Sequence, residues 1–143
     1  MLCIVEASDN TFERFKKKCR GEPFRWIESD WKKFKELRKI ALDRFCQGVL
    51  ADTKTITQHG ALSAHSRYGM IYGLINDRNR DMARMFDGLA RSSASWKLTM
   101  MVSHDLLTDA ELSILSDDAR RAFSDIERRP YEIDWVEETA HHD

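Results

Sequence analysis

The feature that most constrains the fold is a run of apolar residues, Trp31, Phe34, Leu37, Ala41, Phe45, Val49 and Ile56, recurring mainly every three or four positions until His59 and Gly60 interrupt it. That spacing lines one face of a helix, and it predicts a long helix entered through Ser29 or Asp30 as cap. After Gly60 the pattern restarts with Tyr68, Ile71, Tyr72, Ile75, Met82, Phe86 and Leu89. Two amphipathic helices separated by a short break must bury their stripes, and the simplest solution is an antiparallel helical hairpin whose turn holds Gly60. Phe45 and Phe86 are then core residues.

Shorter elements follow. Thr108 with Glu111 makes a capping box for "TDAELSIL", and Ser116 can cap "SDDARRAFSDIERR", which Pro130 stops. A first helix from Asp9 or Asn10 through Phe12, Phe15 and Cys19 ends at Gly21 and Pro23. "SWKLTMMVS" and "PYEIDWVEE" alternate apolar with mostly polar residues, and "MLCIV" is a third strand candidate, so the pattern admits a small terminal β-sheet. The first of these stretches is equally rich in helix formers. The expected fold class is therefore mainly α: a single compact helical domain over 1–143, built on the hairpin, with an α+β variant if the sheet forms. A chain of 143 residues with 14 aromatics can fill one core.

Three cysteines without a CxxC pair, and no charged-then-apolar leader, fit a reducing, cytoplasmic setting. No apolar run approaches the roughly 18 residues a membrane span needs.

The segment 68–91 carries a second surface. On a wheel at about 100° per residue, Tyr68, Ile71, Tyr72, Ile75, Met82, Phe86 and Leu89 share one sector. Gly69, Gly73, Arg80, Arg84, Asp87 and Arg91 lie almost opposite, with Asn76 at the edge. Each glycine inside a helix costs up to about 1 kcal/mol relative to alanine, so the pair either has a reason or is tolerated without a role. One reason is close backbone approach by another helix, Gly48 being the candidate within the chain. The other is an external protein partner seated on Gly69, Gly73 and Asn76 and held by Arg80, Arg84 and Arg91.

Chemistry-bearing patterns are few. The five histidines form no HxxxH or HExxH, and no cysteine stands at ligand spacing from one, so neither a metal nor a cofactor is expected. Cys46 beside Phe45 reads as a small buried hydrophobe. His104–Asp105 invites an acid/base reading, but His104 more simply marks the entry of the next helix, capped by Ser103 or Asp105.

Charge is uneven. From Glu13 to Arg44 there are twelve basic and six acidic residues, a net of +6, whereas from His104 to Asp143 twelve carboxylates face four arginines, a net of −8. The two surfaces either dock on each other or steer a charged partner. Lys16, Lys17, Lys18, Arg20, Arg25, Lys32, Lys33 and Lys35, interleaved with aromatics, form the basis of a nucleic-acid-binding alternative using the 14–44 segment. The overall pI near 6.5 argues against a dedicated binder. The leading expectation is a non-catalytic intracellular regulator or adaptor, an inhibitor among the options, that binds a protein through helical surfaces. An enzyme with unassigned acid/base residues is the third reading.

Overall fold

The structure is a computed structural model, and it describes residues 24–137. The first-helix expectation over 9–23, the "MLCIV" strand, Cys3, Cys19 and the basic residues Lys16, Lys17, Lys18 and Arg20 lie outside those residues.

The described chain is mainly helical, with no strand. In chain order the helices are α1 (Glu28–Gln58), α2 (Ala64–Phe86), α3 (Arg91–Ser103), α4 (Asp109–Leu112) and α5 (Asp117–Ala122). α1 forms where the periodicity places it: Trp31, Phe34, Leu37, Ala41, Phe45 and Ile56 are all buried, with Val49 half-buried. Burying one large aliphatic or aromatic side chain is worth roughly 1.5–3 kcal/mol, so this stripe ties α1 to its neighbours.

Its N-terminus differs from expectation. The cap position is Ile27, without a side-chain bond, and Asp30 is instead buried. The Asp30 carboxylate accepts from the Ser116 backbone N–H at 2.9 Å and from Ser116 Oγ at 2.6 Å. Ser116 in turn accepts from Ala119 N at the start of α5, so one buried carboxylate joins the first turns of two helices. A buried carboxylate requires such donors, because an unpaired one would cost several kcal/mol.

α1 and α2 are linked by residues 59–63. Arg67 donates to Thr57 O at 2.7 Å near the connection, the Phe45 and Phe86 rings meet edge to face at 5.9 Å, and Arg38 donates to Phe86 O at the far end of α2. Ser63 caps α2 through Ser66 N. At the other end Asp87 is the cap and Gly88 follows at φ 76°, the left-handed conformation that ends helices and that glycine adopts without a Cβ penalty. Lys97 crosses from α3 to donate to the carbonyls of Asp87 and Gly88, at 3.0 Å for the latter. Burial pushes the Lys97 pKa down, and its two acceptors offset part of that cost.

The stretch "SWKLTMMVS" is helix, not strand. It belongs to α3, whose buried apolar residues are Ala94, Leu98, Met101 and Val102, an i, i+4, i+7, i+8 set that a helix satisfies, so the alternation was incidental. Residues 130–137, the other expected strand within the described chain, form neither helix nor paired strand. α5 ends at Ala122, earlier than Pro130 would require. The capping box of Thr108 and Glu111 is formed, and Glu111 also receives a two-pronged bond from Arg44 at 2.7 and 3.0 Å, fastening α4 to α1. At one end of the molecule Phe24, Trp26, Trp31, Phe34 and Phe123 interlock as an aromatic cluster. At the other, Ile56, Leu62 and Met70 form a smaller core with Ile133 packed against it.

Candidate functional site

The buried side of α2 is not the one the apolar pattern selects. Met70, Arg78, Met85 and Phe86 are buried, whereas Tyr68 is 74% exposed, Tyr72 67% and Ile75 42%; Leu89, past the helix end, is also exposed. On the wheel the helix is turned by about a quarter to a third of a revolution from the expected orientation. The cause lies in two charged residues. Arg78 is only 5% exposed: it donates to Asp52 on α1 at 2.9 Å, and its guanidinium lies 4.2 Å from the ring centroid of Tyr131. One turn along, Asp81 accepts from Tyr131 Oη at 2.7 Å and lies 3.9 Å from His104 Nε2. The inward sector of α2 is thus partly ionic, and the tyrosines are left outside.

One consequence is that the two surfaces expected on α2 merge. Ile75, Tyr68, Tyr72, Asn76, Gly69 and Arg80 follow one another around the helix as one solvent-facing strip, with Gly73 and Arg84 half-buried at its margin. Among the described residues nothing packs closely on the glycines. A Cβ built on Gly69, Gly73 or Gly48 meets nothing within 4 Å, so none of the described helices covers them. Instead Gly69 and Gly73 border a groove of about 540 Å³ whose opposite wall is the segment 132–137. Met70, Leu74, Ile56, Ile133 and Val136 give the groove an apolar lining, and Asp77, Glu132, Asp134 and Glu137 contribute carboxylates.

Of the residues expected to bind a partner, the structure brings Gly69, Gly73, Asn76, Arg80 and Arg84 onto α2. Arg91 does not join them: α2 ends at Phe86, and Arg91 opens α3, where it pairs with Glu28 and lies over Trp31 at 5.4 Å. Arg25, Lys32 and Lys35 are exposed and Lys33 half-buried around the start of α1, with the Lys35 ammonium 5.4 Å from the Trp31 ring centroid. Two of the cations near that ring therefore already have an aromatic partner within the chain.

His104 caps the C-terminus of α3 rather than entering the next helix, its N–H donating to Met100 O and Val102 O. Its ring stacks on Tyr131 with centroids 4.4 Å apart. Burial lowers the His104 pKa against the opposing pull of Asp81, and burial raises that of Tyr131. The sequence offered no signal for this cluster, because Asp52, Arg78, Asp81, His104 and Tyr131 come from four separate stretches. No group of residues that could hold a metal ion occurs among the described residues, and none of their helices is long and apolar enough to cross a membrane. Comparison with protein-family models, with curated proteins and with solved structures finds no match for this chain.

Proposed function

We propose that the chain is a non-catalytic intracellular regulator or adaptor, inhibitors included, that binds a macromolecular partner through the open strip of α2. The observation that carries this reading is the placement of Tyr68 and Tyr72, two large aromatics mostly in water, beside two glycines with open space above them. Tyrosine and arginine are over-represented among residues that dominate binding energy, and exposed aromatics next to an unfilled concavity suit a surface completed by another molecule. Asn76, Arg80 and Arg84 supply polar and cationic contacts around that centre.

The test is crosslinking affinity capture in the source cell, comparing the wild-type chain with a Tyr72→Ser/Arg80→Glu double variant. Both changed residues are exposed, so the melting temperature should stay the same. A partner engaging the strip should be depleted at least about tenfold in the variant. Equal capture by the two chains would refute the reading.

A further inference from the structure

We infer that the groove between Gly69–Gly73 and the segment 132–137 receives an extended, lysine- or arginine-bearing segment of another protein. This deepens the proposed function and rests on its assignment of Gly69 and Gly73 to the partner surface.

Three observations converge on that occupant. The first is room: the groove holds about 540 Å³, and no described residue fills the space above either glycine to 4 Å. The second is the wall. The backbone of residues 133–137 has no hydrogen-bond partner among the described residues, the nearest such contact being Arg78 to Glu132 O at 3.5 Å. A row of free N–H and C=O groups beside a concavity is what an added extended chain pairs with, main-chain bonds giving affinity and alternate side chains giving specificity. The third is charge. Asp77 on the helix side and Glu132, Asp134 and Glu137 on the other line the groove. Its arginine, Arg78, is already held by Asp52 and Tyr131. The excess negative charge favours a basic ligand, while Met70, Leu74, Ile133 and Val136 accept the apolar stems or neighbours of its lysines.

The inference is tested with the full chain and a fluorescein-labelled peptide alternating lysine with valine, read by fluorescence polarisation beside its glutamate-for-lysine counterpart. The basic peptide should bind and the acidic one should not, and added salt should weaken binding. Gly73→Leu fills the groove at a position with open space and better helix propensity, so it should fold and lower affinity by about tenfold or more. Asp134→Lys, on a segment outside the helices, should lower affinity similarly and serves if Gly73→Leu fails to fold. Binding that ignores both substitutions, or that is equal for the two peptides, would overturn the inference. The wider reading of α2 stands or falls separately, on the capture ratio of the Tyr72→Ser/Arg80→Glu chain.

Discussion

Three glycines occupy opposite roles in the same part of the chain. Gly69 and Gly73 have helical neighbours on both sides and empty space above, so each carries the propensity cost of glycine with no packing return. Gly88 sits at φ 76°, where any other residue is strained. Replacing Gly69 and Gly73 by alanine should raise stability by up to about 1 kcal/mol each, whereas Gly88→Ala should lower it by about 1–2 kcal/mol. Urea denaturation of the three single variants checks the signs. A loss of stability in Gly69→Ala or Gly73→Ala would mean that something covers these positions.

At the scale of the element, the bond between Arg44 and Glu111 joins α1 to the one-turn α4. Hydrogen bonding from Arg44 holds the Glu111 carboxyl at about 2, below its ordinary value of 4.5. A carboxylate whose folded pKa is depressed stabilises the fold above its unfolded value, and that contribution is lost as pH falls from about 4.5 through about 2. Glu111→Gln should therefore cost on the order of 1 kcal/mol at neutral pH and converge on the wild type near pH 2, as followed by urea midpoints across that range. The same scale shows what the sequence discloses. α1 and the capping box were readable because apolar spacing and Thr108–Glu111 carry their own local signal. The orientation of α2 was not. Its inward sector is centred on Arg78 and flanked by Asp81, which pair with Asp52 and Tyr131 at sequence distances of 26 and 50 residues, and polarity alone assigns such residues to solvent. Asn76, Gly69, Gly73 and Arg80 were recognisable as an uncommon face, but the two tyrosines beside them were hidden by that same misorientation. The groove depends on residues 132–137 lying along α2, which no local pattern encodes.

For the whole molecule, the cluster of Asp52, Arg78, Asp81, His104 and Tyr131 gathers α1, α2, the end of α3 and the C-terminal segment at one point. His104 has a folded pKa lowered chiefly by burial, so the fold favours its neutral form. The stability this gives is present above the unfolded value of about 6.5 and is lost as pH falls through the folded one. His104→Phe keeps a ring against Tyr131 without a titrating group. Its urea midpoint should fall less than that of the wild type between pH 7 and pH 5, and an equal fall would remove His104 from this role. The segment held at that point brings Trp135 to rest against His59, with ring centroids 4.6 Å apart, while 41% of its surface stays in water; Trp26 and Trp31 are buried. Trp135 is flanked by the groove residues Asp134 and Val136. The chain therefore carries its own fluorophore there: soluble quenchers such as acrylamide reach Trp135 more readily than the buried Trp26 and Trp31 or the half-buried Trp96, and in a Trp96→Phe background its quenching registers occupancy of the groove without any attached label.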